Sequence, residues 1–142
     1  MSMAKTLTDL DRKLLALLRL NGRESFVNLA DVLATSEGTI RSRVKRLCES
    51  GVIRQFTIRT TGANLKALIE VVSDTDVDTS TVAEKIVAWA GVEVVYETSG
   101  SDDIVVVVEA DDTDELNAMV EDIRKLPNVR STRTRLILKE VV

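Results

Sequence analysis

Apolar side chains recur through the first fifty residues at helical spacing. Leu10, Leu14, Leu17 and Leu18 fall at i, i+4, i+7 and i+8, a single stripe. Thr8 stands where an N-cap belongs, and Asp9 and Asp11 put negative charge in the first turn, where the helix dipole favours it. Asn21-Gly22 predicts the stop, because both residue types tolerate left-handed C-cap geometry. Ser25 is placed to cap a second helix with Leu29, Ala30 and Leu33 inside. Thr35 or Ser36 is placed to cap a third that runs to Ser50, with Ile40, Val44 and Leu47 inside and Gly51 closing it. Three short helices, the last two joined by a turn near residues 34–36, predict a helix-turn-helix. Ile53, Phe56 and Ile58 then lie mostly in alternation with Arg54, Gln55, Thr57 and Arg59, the pattern of a strand serving as wing or tether. Thr60-Thr61-Gly62-Ala63-Asn64 breaks that pattern and marks a boundary.

The second half changes period. Residues 65–73 predict a strand, 74–80 an acidic loop, and 81–90 a helix with Val82, Ile86 and Trp89 on one side. Residues 92–98 and 104–108 predict two further strands. The latter is apolar throughout, which predicts a central strand with both faces covered. Residues 113–126 predict a helix burying Leu116, Met119, Val120 and Ile123, ended by Pro127, and 129–141 a long last strand. The order β-α-β-β-α-β is the ferredoxin-like arrangement. The fold class is therefore α+β: a (winged) helix-turn-helix domain over 1–53, a linker strand or hairpin over 54–64, and a ferredoxin-like βαββαβ domain over 65–142. One such sheet leaves a face open, and this one is rich in Val and Ile, so the domain is expected to dimerise. Trp89 and Tyr96 are candidates either for covering that face or for the core.

Charge divides the same way. The net charge of −4 conceals eleven bases against six acids in residues 1–59 and eight against seventeen in the rest, or +5 and −9. Such asymmetry suits one half facing a polyanion and another held away from it. No run of about 18 apolar residues and no signal-peptide pattern is present, and Cys48 has no second cysteine to pair with, which predicts a cytoplasmic protein. Histidine is absent, removing the commonest general base and transition-metal ligand. Four aromatics (Phe26, Phe56, Trp89, Tyr96) are too few for a single-strand stacking platform. No catalytic residue, metal site or cofactor is expected.

The third helix carries the sharpest chemistry. Ser36, Thr39, Arg41, Ser42, Arg43, Lys45 and Arg46 are polar or basic, while Ile40, Val44 and Leu47 form the opposite stripe. A recognition helix needs this division, one side docked on its neighbours and the other in the major groove of double-stranded DNA. Arginine reads guanine O6 and N7 with two parallel hydrogen bonds, and hydroxyls suit bases or phosphates. A solvated basic helix face is the plainer reading of the same residues; the trihelical setting favours DNA.

The run Ser36-Glu37-Gly38-Thr39-Ile40-Arg41-Ser42-Arg43-Val44-Lys45-Arg46-Leu47, ending Gly51-Val52-Ile53, resembles the recognition helix of the leucine-responsive regulatory protein/AsnC (Lrp/AsnC) family. Leu10-Asp11-Arg12-Lys13-Leu14-Leu15 resembles that family's first helix, and the C-terminal half is similar to its ligand-sensing domain. The resemblance implies a homodimer as building unit, often assembled into tetramers, octamers or other even-numbered rings. It also implies palindrome-like operators, and amino acids or related effectors bound where dimers meet. Ser99-Gly100-Ser101-Asp102-Asp103-Ile104 matches the family's glycine-aspartate turn, with Asp103 at its aspartate, and Thr132 and Thr134 match its paired threonines. Gly100, Ser101, Asp102, Asp103, Thr132 and Thr134 are thus the implied effector contacts. A tight turn with solvated acids is the plainer alternative. Asp102 and Arg133 depart from the family's usual aromatic and acid, and residues 56–65 form a short connection without the usual proline.

Two other functions compete with a regulator. The C-terminal domain could serve as sensor or regulatory subunit of a metabolic enzyme, with Glu97, Asp102 and Asp103 collecting a metal. Alternatively, the chain could be an architectural protein that binds DNA with little sequence preference.

Overall fold

In the computed structural model, which describes residues 6–62 and 64–141, the chain falls into two units, divided along the sequence between Thr60 and Thr61. The first holds α1 (Asp9–Leu20), α2 (Phe26–Val32) and α3 (Glu37–Glu49). Each starts on a hydroxyl. Thr8, Ser25 and Ser36 accept from the backbone N–H three residues on, at 3.1 Å in all three cases, which satisfies a donor the helix itself leaves orphaned. Thr8 and Asp11 complete a capping box, with the Thr8 N–H donating back to the Asp11 carboxylate at 3.0 Å.

The helix ends differ from expectation. Asn21 is extended (φ −145°), not left-handed, and the stop comes from its side chain, whose carbonyl accepts from the Arg23 N–H at 3.1 Å. An Asx-type turn thus does the work expected of a left-handed cap. Gly51 does take φ 72° just beyond α3. Between α2 and α3 the turn passes through Ala34 at φ 52°, with the Thr35 N–H donating to the Ala30 carbonyl at 2.9 Å. Leu14, Leu29 and Ile40 are fully buried at the centre of the unit, with Leu18, Ala30, Val44 and Leu47 around them. Each contributes roughly 1.5–3 kcal/mol through burial, Ala30 less.

The strand expected over residues 53–59 does not form. Ile53 folds back instead, its N–H donating to the Leu47 carbonyl at 3.0 Å and its side chain packing on the helical core. Phe56 and Ile58 are left exposed. Alternation alone cannot make a strand, which needs an edge to pair with.

The second unit is β1 (Leu65–Ser73), α4 (Thr79–Val87), β2 (Val92–Glu97), β3 (Ile104–Ala110), α5 (Thr113–Arg124) and β4 (Val129–Ile137). The strands form one antiparallel sheet in the order β2-β3-β1-β4, the ferredoxin-like topology. α4 starts two residues earlier than its apolar period suggests, because the Asp78 carboxylate caps it through the Ser80 N–H at 3.0 Å. It ends at Val87, so Trp89 lies beyond the helix and packs half-buried against the core. β4 stops at Ile137 rather than running on to 141, and Leu138 is exposed.

Side chains alternate across the sheet. Ala67, Ile69 and Val71 pair with Val108, Val106 and Ile104, and all six are buried beneath Val82, Ile86, Met119, Val120 and Ile123 of the helices. β3 is central, as its apolar run predicts, but only one of its faces is covered in this chain. The alternate residues Val105 and Val107 are half-buried, opposite Glu70 and Leu68. Tyr96, paired with Val105, lies on this open face and is 54% exposed. Val and Ile therefore serve two different surfaces, one buried under the helices and one left open in this chain.

Candidate nucleic-acid interface

Helix α3 docks through Ile40, Val44 and Leu47, all buried, and turns Gly38, Ser42 and Lys45 outward. At its start the Ser36 and Thr39 hydroxyls lie 2.8 Å apart. Ser36, Arg41, Ser42, Lys45 and Arg46 are exposed, whereas Thr39 and Arg43 are half-buried. The seven polar and basic residues of the predicted recognition helix thus share one helix but not one environment.

All four cations of α3 have an acidic partner. Arg41 donates to Glu37 at 2.7 Å and lies 5.1 Å from the centre of the Phe26 ring. Lys45 stands 3.8 Å from Glu49. Both pairs are exposed i,i+4 contacts, worth about 0.3–0.5 kcal/mol each. The other two differ in kind: Arg43 and Arg46 converge on Asp11 of α1, at 3.3 and 3.2 Å. Asp11 is 1% exposed, the one charged side chain buried among the described residues. Arg43 also donates to the Thr8 hydroxyl at 3.3 Å. Burial pushes the Asp11 carboxyl up, but the Thr8 N–H and hydroxyl and the charges of Arg43 and Arg46 outweigh it and hold the group below the ordinary carboxylate value.

Sequence reading placed Asp11 at a helix start, within the run that resembles the family's first helix, and gave it no partner in α3. Its position three residues after Thr8 was a legible capping signal. Its meeting with arginines more than thirty positions away was not, since only the packing of α1 against α3 creates it.

The glycine-aspartate turn lies in the other unit. Gly100 has φ 132°, a conformation that L side chains rarely adopt, so the turn requires glycine there. Asp103 is not a solvated acid. Its Oδ2 accepts from the Ser73 N–H at 2.8 Å and the Ser73 hydroxyl at 3.0 Å, tying the turn to the end of β1. Asp102 is also bound into the turn, its carbonyl accepting from the Thr98 hydroxyl at 2.6 Å and its carboxylate from the Ser101 hydroxyl at 3.1 Å. Ser73 is a residue the sequence reading missed.

Thr132 and Thr134 sit on the far side of β1 from that turn. Val71 lies between Ile104 and Thr132 in the sheet register, so two inter-strand spacings, about 9.5 Å, separate the two groups. Thr132 accepts from Arg124 of α5 at 2.9 Å. Thr134 lines an open cleft of about 280 Å³ with Thr113, Leu116, Asn117, Val120 and Arg124. One chain thus presents the implied effector residues as two separate clusters. Among the described residues no group of three or more acids, cysteines or histidines is placed to hold a metal ion, so the cluster imagined for Glu97, Asp102 and Asp103 is not assembled. No helix among them is long and apolar enough to cross a membrane.

Comparison with known proteins places both units. Residues 7–54 match the winged helix-turn-helix DNA-binding family and residues 66–142 the Lrp/AsnC ligand binding domain. The chain is 36% identical to the HTH-type transcriptional regulator LysM of Sulfurisphaera tokodaii over 130 residues, 91% of this chain and 93% of that one. It is also 49% identical over 78 residues to the homocitrate synthase of Sulfolobus acidocaldarius, which is 55% of this chain but 17% of the enzyme. Among solved structures it superposes on MtbAldR with a TM-score of 0.84 at 27% identity, covering 96% and 97% of the two chains. A transcriptional regulator of Neisseria meningitidis, solved as a complex with L-Met, gives 0.77 at 25% identity, covering 96% and 93%. With a DNA-binding helix-turn-helix ahead of a ligand-binding ferredoxin-like domain, the chain belongs to the Lrp/AsnC family of transcriptional regulators.

Proposed function

We propose that this protein regulates transcription in the cytoplasm as a sequence-specific DNA-binding dimer or higher assembly, tuned by an amino acid or related small molecule. The observation that carries this reading is α3 itself, a helix docked on one apolar stripe with hydroxyls and cations along its exposed side. No catalytic role enters it. Support for an amino-acid effector comes from the neighbour solved with L-Met and from the Gly100 turn and the threonine pair. Because one chain splits those clusters, an effector spanning both would need groups from a second copy.

The open sheet face supports self-association. Leu68, Val94, Tyr96, Val105 and Val107 alternate with the buried face, flanked by Glu70 with Arg133 and Arg135 at 3.6 and 3.2 Å. Valines on a half-exposed face are the mark of a surface that a partner covers. We expect the full chain to sediment as a dimer or larger at micromolar concentration, and Val107→Asp, which sets a carboxylate in the middle of that face, to shift it towards monomer. Unchanged sedimentation of that variant would move the interface elsewhere.

The functional test is competition binding at fixed salt between an operator selected from random sequence and random duplex, with and without each amino acid. A specificity ratio of about 10³–10⁷ is expected, changing with at least one effector. A ratio near one would mark an architectural protein instead. The match to part of homocitrate synthase favours a second reading, that the C-terminal unit alone is a sensor module portable between proteins. Effector binding with no effect on DNA affinity would support it.

A further inference from the structure

The pairing of Asp11 with Arg43 and Arg46 does more than hold two helices together, and its second role rests on the DNA-binding function proposed for α3. We propose that the Asp11 carboxylate competes with DNA phosphate for these two arginines, so that Asp11 limits binding to non-specific duplex. Three observations carry this. Asp11 is buried while its partners are not: the Arg43 and Arg46 side chains are 28% and 58% exposed, so each guanidinium keeps a path to solvent. The contacts are long, between 3.2 and 3.5 Å, and each guanidinium uses one nitrogen only, Arg43 Nη1 on Oδ1 and Arg46 Nη2 shared between both oxygens, rather than the short two-nitrogen fork an arginine makes with a fully committed carboxylate. Thirdly, on α3, the helix that the proposed function turns towards DNA, the other two cations are paired only through exposed contacts that phosphate exchanges at little cost.

A carboxylate and a phosphate oxygen offer a guanidinium the same charge-assisted bonds. Leaving Asp11 strands a buried anion, so the exchange is costly unless the incoming site repays it. Random duplex offers only backbone charge, whereas an operator adds base contacts that hold α3 in place. Asp11 therefore acts as a positioning residue that withholds Arg43 and Arg46 until sequence recognition contributes. Asp11→Asn keeps the shape and an acceptor for the Thr8 N–H, but removes the charge.

The test is the salt dependence of binding to random-sequence duplex by the full-length protein, between about 50 and 200 mM salt. Counterion release makes the slope of log K against log salt a count of neutralised phosphates, about 0.9 for each. Asp11→Asn is expected to steepen that slope by between about 0.9 and 1.8 per protomer and to narrow the operator-to-random ratio. Adding Arg46→Gln to that variant should then reverse about half of the gain. A purely structural clamp predicts the opposite, weaker binding with an unchanged or shallower slope, and that result from a protein with intact helical circular dichroism would overturn the proposal. Arg46→Gln alone covers the case in which Asp11→Asn does not fold. It should flatten the wild-type slope by less than half of the 0.9 or so that one full phosphate contact carries, and loss of the whole amount would also overturn it. Wild-type protein that binds no duplex at all would instead defeat the DNA-binding reading itself.

Discussion

Residues 1–60 alone are expected to bind an operator about 10²–10⁴-fold more weakly than the full chain at the same salt. That unit has its own buried core around Leu14, Leu29 and Ile40, so it should fold and present α3 unchanged. What it lacks, under the proposed function, is the second copy. One small helix-turn-helix makes few contacts, but two held by a shared dimer reach successive major grooves, and the second binding event becomes intramolecular. The C-terminal unit would supply this tether through its open sheet face while its −9 charge keeps it off the DNA backbone. An effector can act through the same arrangement only by binding one assembly more tightly than another. Fluorescence anisotropy with the fragment and the full chain decides the point, and equal affinities would leave the C-terminal unit without a part in DNA binding.

The second large effect is on stability. Asp11→Ala should cost the helix-turn-helix unit about 3 kcal/mol, combining a lost cap worth about 1 kcal/mol with charge-assisted bonds worth about 1.5–3 kcal/mol. The partly exposed arginines left behind can turn to water, which keeps the loss below the 3–5 kcal/mol or so seen when a fully buried partner is stranded. A unit of this size has only about 3–9 kcal/mol in all, so its melting temperature should fall by roughly 10–25 °C. Melting of the C-terminal unit should not move. A drop below about 4 °C would show that the Asp11 cluster contributes less than about 1 kcal/mol.

The same cluster makes a pH prediction. The Asp11 pKa is lowered in the folded protein, so its contribution is fully present above the unfolded value of about 3.9 and is lost as pH falls through the folded value. Denaturant titrations of the wild type should therefore lose stability on acidification below about pH 4. Asp11→Asn should lack that component.

Local chemistry was enough to read most elements. Thr8, Ser25 and Ser36 announce three helices because a hydroxyl three residues before an unsatisfied N–H is a contact made within one turn. The 3.6-residue apolar period locates α1 and α3, and the unbroken apolar run locates β3, because each element must bury apolar surface. Where such signals competed, boundaries slipped. Asp78 capped α4 ahead of the residue where its apolar period begins, and Asn21 stopped α1 with its side chain. Ile53 preferred the helical core to a strand that had no edge beside it. The ferredoxin-like arrangement followed from element order, and the observed sheet order β2-β3-β1-β4 agrees with it.

Composition, charge division and motif spacing were sufficient to mark a DNA-binding half and an acidic half, and the resemblance to the Lrp/AsnC family gave the second its sensor role. They could also single out the residues of α3, because those properties are written residue by residue along the chain, whereas the Gly100 turn was marked by its resemblance to the Lrp/AsnC family. Only the tertiary structure decided who meets whom. It put Arg43 and Arg46 against a buried Asp11, committed Asp103 to Ser73, and set Thr132 across a strand from the turn it was grouped with. Those pairings join residues up to 35 positions apart, and their energies depend on distance and burial. Both quantities exist only once helices and strands have packed.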